Sequence, residues 1–393
     1  MDIRLLVSPH LQETPQPKDM TPHPKGYIDF SFGNPSPETF PIEEIIFAAR
    51  NRVTKDSLQY CADRGSENLL VSLSKWLGSW QEFSVKTENL ITTNGSMDGI
   101  ALIADTFIDS GDVVIAESPT YWKAREIFQN AGAQVIYIPV AEDGLKIDLL
   151  EDRILETLQM GKKCKLLYTI PNHQNPTGYI TSLEKRKRIV SVCEKHNILI
   201  IEDDVYSHLT YDGNILPSIY SLSNGMSVVQ VGSLSKLISP GIRIGWIVGS
   251  KVTCDFILKI KRDGGTNPLA SEISAFLLDN IDWKERINYL RDFYNIRLET
   301  MFINLQKIPP NLLSWEKPKG GFYFWAKVSH NIPLSQLEKL CLKRDVGFMP
   351  GYLCTNDDNI GHDHIRLSFS DLSSVQIESG IERLRDALIQ MQE

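Results

Sequence analysis

One lysine in this chain stands where a surface amine has no need to be. In "QVGSLSKLISPGIRIGWIVG" (230–249), Lys236 follows a β-like run, sits among Ser233, Ser235 and a Pro-Gly turn, and precedes Arg243 by seven positions. Core positions exclude an ammonium unless it has work to do, and a neutral lysine amine attacks carbonyl groups. Other apolar runs end in matching groups. After "NLITT" (89–93) comes a turn with Gly95, Ser96 and Met97, whose exposed amides and positive helix end suit a phosphate. After "KLLYTI" (165–170) comes "PNHQNPTG", which holds the amide of Asn175. The run "ILIIED" (198–203) ends on Asp203, with Tyr206 three residues further. Each of these has a structural explanation alone, as a turn, a cap or a paired core group. Together they ask for one small molecule. A lysine condenses with an aldehyde and an acid pairs with a pyridinium nitrogen. A phenol and an amide bind a phenolic oxygen, while serines, an arginine and a helix end hold a phosphate. That molecule is pyridoxal 5′-phosphate.

These groups meet only if the runs are neighbours in one sheet and present the same edge. The further runs "DVVIAES" (112–118), "QVIYIPV" (134–140), "SVVQVGS" (227–233) and "IRIGWIV" (242–248) bring the number of predicted strands in this region to seven. Their continuous rather than alternating hydrophobicity predicts burial on both faces, as in a parallel sheet. Helical patterns lie between most of them, such as "SLEKRKRIVSVCEKHN" (182–197), with Ile189, Val190 and Cys193 on one stripe. The prediction is an α/β fold: a large domain with a mainly parallel seven-stranded sheet flanked by helices, in which ligands bind at the carboxyl ends of the strands. Beyond about residue 285 the pattern changes to a long helix (282–308), an aromatic strand "GGFYFWAKV" (320–328), a helix (333–345), a strand "HIRLSFS" (364–370) and a closing helix (373–391). This is a smaller α+β domain. The expected division is an N-terminal arm over 1–26, a large cofactor-binding domain over 45–285, and a small domain combining 27–44 with 286–393.

Composition excludes several classes. The 393 residues carry 41 Lys+Arg against 49 Asp+Glu, a net charge of −8 without basic blocks, which argues against nucleic acid as a partner. No apolar run reaches the roughly 18 residues needed to span a bilayer, so no membrane partner is expected. The first residues lack the apolar core of a signal peptide. Six scattered cysteines without a C-x-x-C pair read as reduced thiols of a cytoplasmic protein. His362 and His364 are the closest histidine pair and have no third ligand, so no metal site is expected.

With "SLSK…PGIRIGW", "NPTG" and "EDDVY" in place, the sequence resembles the class I/II aminotransferases, fold type I of the pyridoxal-phosphate enzymes. Within them it is most similar to the aminoadipate/kynurenine-type and multisubstrate branch. The likeness runs from "DFSFGNPSPETFP" (29–41) to "IRLSFS" (365–370). It implies that Lys236 forms the Schiff base with the cofactor and later moves the substrate proton, and that Asp203 pairs with the pyridinium nitrogen. Tyr206 and Asn175 would bind the phenolic oxygen, with Asn175 also near the substrate. Gly95, Ser96, Met97, Ser233, Ser235 and Arg243 would surround the phosphate, and Tyr121 would stack on the ring. Arg366 would clamp the substrate α-carboxylate, and Gly33 would let backbone approach it. Tyr60 and Asn267 would reach the phosphate of a neighbouring subunit, which implies a homodimer with shared active sites. The implied reaction exchanges the amino group of an L-amino acid with a 2-oxo acid.

Two positions depart from the family pattern. His208 stands where an acid is frequent, two residues after the tyrosine of "EDDVY", and is expected to be solvated or to cap a helix. Asn34 lies on the segment that shapes the substrate pocket. Together with Asp29 and Glu38, these positions leave room for a rival in which the same cofactor drives elimination, replacement or cyclisation of a basic or guanidino amino acid. A second rival reads Ser233-Leu-Ser-Lys236 as the S-x-x-K motif of serine acyl-enzymes, but the partner motifs S-D-N and K-T-G are missing.

Overall fold

The computed structural model describes residues 6–7, 24–80, 84–355 and 360–392. The arm expected over 1–26 therefore lies outside the described residues except at 6–7 and 24–26. Fourteen strands are described. They are β1 (Ile28–Asp29), β2 (Leu90–Thr93), β3 (Val113–Ser118), β4 (Gln134–Ala141), β5 (Gly144–Leu145), β6 (Cys164–Thr169) and β7 (Leu199–Asp203). After them come β8 (Val228–Ser233), β9 (Gly245–Val248), β10 (Leu313–Trp315), β11 (Tyr323–Val328), β12 (Val346–Gly347), β13 (Met349–Pro350) and β14 (His364–Ser368).

The large sheet has the order β2-β9-β8-β7-β6-β3-β4-β5. Pairs β3/β4, β3/β6, β6/β7 and β7/β8 are parallel. All seven predicted strands are present. The eighth, β5, is two residues folded back antiparallel on β4, too short to leave an apolar run in the sequence. The run predicted over 242–248 begins its strand only at Gly245, because Arg243 adopts a left-handed conformation (φ 56°) that ends the preceding turn. Burial on both faces is complete along β2, β3, β8 and β9.

One topological detail decides where the functional groups fall. Strand β9 runs antiparallel to both β8 and β2. Its first residue, Gly245, therefore lies beside the last residues of its neighbours, Thr93 and Ser233. The turn before β9 thus opens on the same edge as the turns after β2, β3, β6, β7 and β8. This places Arg243 beside groups that follow the other strands.

The helices between the strands cover the sheet, and several begin with a serine or asparagine that caps the first turn. The helix Leu183–Lys195 has Ser182 as its cap, and Pro268–Asn280 has Asn267. The second sheet, β10-β11-β14-β13, is antiparallel throughout. It packs with the long helix Trp283–Leu305 and the closing helix Ser374–Gln390, whose Ser373 and Gln376 form a capping box. The short parallel pair β1/β12 ties the N-terminal segment to this unit, and the Ser368 amide donates to the Phe30 carbonyl at 2.8 Å. Residues 31–34 are thereby carried alongside the end of β14.

Candidate active site

At the edge where β2, β8 and β9 meet, glycine makes a concave surface. Gly95, at φ 95° before the helix Ser96–Phe107, leaves a gap in which a Cβ would meet the Arg243 guanidinium at 2.6 Å. A Cβ on Gly245 would strike the backbone of Gly95 at 2.6 Å. Ser96 and Met97 form the first helical turn, whose amides have no acceptor within the helix. The Ser233 hydroxyl accepts from the Ser235 amide at 3.1 Å, and the two hydroxyls are bonded at 2.8 Å. Arg243 is anchored on the carbonyls of Asn94 and Pro240. Helix end, two hydroxyls and a guanidinium on a surface lined with glycine fit an anion such as a phosphate.

Behind this cradle, Asp203 closes β7 and is buried. Its Oδ2 accepts from the Tyr168 hydroxyl at 2.8 Å, while its Oδ1 is buried without a partner. Burial pushes this carboxyl up to about 7, and the Tyr168 hydrogen bond only partly offsets it. A cationic N–H at Oδ1 would return the acid to its ionised state and supply the missing bond. That is the donor a protonated pyridine offers. Lys236 donates from Nζ to the Gly33 carbonyl at 2.8 Å and lies over the rings of Phe322 and Tyr206 at 5.4 and 5.9 Å. Burial pushes its ammonium down to about 8; the Arg366 charge adds to the shift and Asp203 opposes it. A lysine so tuned has a large neutral fraction near pH 8 and is competent to attack an aldehyde. Tyr121 caps the helix Trp122–Asn130, and burial pushes its phenol up, with Tyr323, Asp203 and Arg366 in its surroundings.

On the far side of Lys236, Arg366 comes from β14, opposite Trp325 of β11. It is buried, donates to Asn175 Oδ1 at 2.6 Å and to the Ser31 carbonyl, and stacks 4.3 Å over the Tyr323 ring. Its Nε is buried without a partner. An incoming carboxylate would satisfy it. The residues present therefore fit pyridoxal 5′-phosphate at one end and an amino-acid carboxylate at the other.

Residues 25–384 match the family described as aminotransferase class I and II. The chain belongs to this family. It is 30% identical over 92% of its length to aromatic-amino-acid aminotransferase 1 of Thermococcus litoralis, 88% of which is covered. The crystal structure of a multiple substrate aminotransferase from Thermococcus profundus superposes with a TM-score of 0.92 at 26% identity, covering 100% of this chain and 99% of that one. An α-aminoadipate aminotransferase from Thermus thermophilus, solved with N-(5′-phosphopyridoxyl)-L-leucine, gives a TM-score of 0.85 at 29% identity over 94% of this chain and 93% of that one. The protein is an aminotransferase of fold type I, and its cofactor is pyridoxal 5′-phosphate.

This aminotransferase brings together most of the residues singled out in its sequence, but some in unexpected settings. Gly33, where backbone is expected to approach a substrate carboxylate, also makes room for Tyr323, whose hydroxyl would lie 1.8 Å from a Cβ. The Tyr206 hydroxyl is bonded to the Tyr323 hydroxyl at 3.0 Å. Burial and then Arg366, not the nearer-in-sequence Arg243, depress Lys236. Tyr60 and Asn267 stand on the surface of the single chain. Tyr60 is 83% exposed beside Gly264, and the Asn267 Oδ1 caps its own helix through the Ala270 amide. His208 is only partly exposed, with its Nε2 buried, and caps no helix. It stacks on Trp76 at 5.1 Å, meets Trp80 edge-on at 5.2 Å, and burial pushes its imidazolium down to about 4. Asp29 accepts from the Ser31 amide at 2.7 Å, and Glu38 pairs with Arg297 at 3.1 Å. Both acids thus have partners within the chain.

Two members of the site escaped sequence reasoning. Tyr168 lies inside the buried run "KLLYTI", where a phenol needs a partner, and that need was its only signal. Tyr323 lies in "GGFYFW", where the glycines mark close packing but not what packs there.

Proposed function

We propose that this aminotransferase exchanges the α-amino group of an amino acid with a 2-oxo acid at the site around Lys236. The observation that carries this reading is the pair of buried, unpartnered atoms, Asp203 Oδ1 and Arg366 Nε, whose parent groups both act electrostatically on Lys236. When bound, the cofactor supplies an aldehyde that captures amino groups and a cationic ring that withdraws electrons from the substrate α-carbon. The chain supplies the rest. Lys236 holds the cofactor and, once displaced by substrate, carries the proton to and from the α-carbon through Nζ. Asp203, oriented by Tyr168, keeps the ring nitrogen protonated. Tyr206 and Asn175 hold the phenolic oxygen, and Tyr121 covers the ring. Gly95, Ser96, Met97, Ser233, Ser235 and Arg243 hold the phosphate, and Arg366 fixes the α-carboxylate so that the α-hydrogen faces Lys236.

The substrates proposed are amino acids with aromatic or aminoadipate-like side chains, because relatives named for aromatic amino acids and for 2-aminoadipate are 30% and 29% identical to this chain. The working unit proposed is a cytoplasmic homodimer. Ile42, Phe47, Leu58 and Tyr60 form an exposed apolar stretch along the helix Ile42–Arg52 and the loop after it, which supports a covered face with Tyr60 directed to a second subunit. Residues 45–285 and the combination of 27–44 with 286–393 are proposed as domains that close over substrate. Among the described residues no helix is long and apolar enough to cross a membrane.

The test is to mix cofactor-loaded protein with each amino acid, without acceptor, and follow the visible absorbance. Loss of the band with stoichiometric release of the matching 2-oxo acid, reversed by adding 2-oxoglutarate, supports transfer. Release of ammonia or of a side-chain leaving group, with the band retained, contradicts it.

A further inference from the structure

Glu117 is buried, ionisable and outside every role described above. It is the penultimate residue of β3. Its Oε1 accepts from the Thr169 hydroxyl, and its Oε2 accepts from the Ile170 amide and from Gln174 Nε2, both at 3.1 Å. The same Gln174 amide nitrogen donates to the Pro119 carbonyl at 2.7 Å. Its oxygen accepts from the Thr177 amide at 3.0 Å and from the Thr177 hydroxyl at 2.7 Å. These bonds join two loops that leave adjacent parallel strands. One follows β3 and leads through Pro119 to Tyr121; the other follows β6 and carries Asn175 between Gln174 and Thr177.

We propose that Glu117 is a positioning residue that locks the Tyr121 loop to the Asn175 loop, and so fixes the cofactor ring between its stacking partner and the amide on its phenolic oxygen. The inference rests on the roles proposed for those two residues. The chemistry requires an acceptor at Oε2. The Ile170 amide and Gln174 Nε2 both donate to that oxygen, and a leucine at 117 would leave the buried Ile170 amide without an acceptor and cut the Gln174 link to β3. Burial raises the acid to about 7 while its three donors oppose that rise, and in either protonation state Oε2 remains an acceptor because a proton can sit on Oε1 facing the Thr169 hydroxyl.

The experiment compares cofactor-loaded wild type with Glu117→Leu and Glu117→Asp, reading the pH midpoint of the cofactor's visible band, kcat, KM and the melting temperature. Loosening Asn175 from the phenolic oxygen is expected to move the midpoint by about half a pH unit or more. It should lower kcat between roughly tenfold and a hundredfold, as for reacting groups displaced by up to an ångström, with KM within about twofold. Glu117→Asp, which keeps the charge, is expected to fall between the two. Should Glu117→Leu not fold, Gln174→Ala removes the bonds to Glu117 and Pro119 together with those from Thr177, leaves the Ile170 bond to Glu117 in place, and is expected to move the band in the same direction by less. A folded Glu117→Leu with wild-type midpoint and kcat overturns the proposal, as does a Gln174→Ala enzyme indistinguishable from wild type. Failure of the underlying site assignment looks different, because Asn175→Ala itself would then leave the midpoint of the visible band unmoved.

Discussion

Lys236 shows how burial sets reactivity. An ordinary lysine amine is almost wholly protonated at neutral pH and is no nucleophile. Burial and the Arg366 charge bring this one down to about 8, against the weaker pull of Asp203. Uptake of pyridoxal phosphate by the ligand-free protein should therefore accelerate about tenfold per pH unit below pH 8 and level off above it. Stopped-flow absorbance at saturating cofactor checks this, and a profile still rising through pH 10 would mean the amine is not tuned. Arg366 makes a separate prediction. Its unpartnered Nε is read as the place of a substrate carboxylate, so Arg366→Ala should raise KM for amino acids by two orders of magnitude or so, as expected for loss of a charged bidentate contact, while cofactor stays bound. Loss of the cofactor band in that variant would place Arg366 wrongly.

The elements explain why residues so far apart in sequence meet. Five strand-to-loop exits and the entry to the reversed strand β9 open on one edge of the large sheet, and β14 delivers Arg366 from the other sheet. The parallel part of this plan was legible in the sequence, because strands buried on both faces leave continuous apolar runs. The reversal of β9 was not. An antiparallel strand in the middle of a buried sheet has the same composition as its neighbours, and only the three-dimensional register shows it. The contact between the N-terminal segment and the site was legible only through the family resemblance, since it depends on a two-residue pairing, β1 with β12, that no periodicity can signal. Gly33 gives that contact a test. A methyl group there must displace the Tyr323 ring and break its hydroxyl bond to Tyr206. Gly33→Ala should cost about 1–3 kcal/mol in stability, as overpacking does, and lower kcat as well. Thermal denaturation and steady-state rates read the two effects, and a variant as stable and active as wild type would show that Tyr323 is free to move.

At the scale of the whole molecule, the site stores an electrostatic cost that the cofactor relieves. Asp203 titrates near 7 in the ligand-free fold and near its ordinary value of 3.8 when unfolded. Between these values the native state holds the proton more tightly, so its stability falls as pH rises from about 4 to 7. A bound ring cation keeps Asp203 ionised and removes this loss. The melting temperature gained on adding cofactor should therefore grow across pH 4 to 7. Glu117 and Glu202, also raised to about 7, contribute the same fall with rising pH in both forms. His173 and His208, lowered to about 3 and 4, contribute a rise in both forms, so all four drop out of the difference. A cofactor-induced gain that is flat over this range would mean that Asp203 does not face the ring nitrogen. The sequence made the acid, the lysine and the phosphate cradle legible because each stands at the end of a recognisable run. It left their supports, Tyr168, Tyr323 and Glu117, unread because a buried polar residue inside an apolar strand reveals only that it has a partner, not which one.

The central claim is a covalent link between Lys236 and the cofactor, and one measurement addresses it directly. The cofactor-loaded protein is treated with borohydride, digested, and its peptides are sequenced by mass spectrometry. The account predicts a single pyridoxyl-phosphate adduct on the peptide containing Ser233-Leu-Ser-Lys236, located on the lysine. An adduct on any other lysine, or none from protein that shows the visible band, contradicts it.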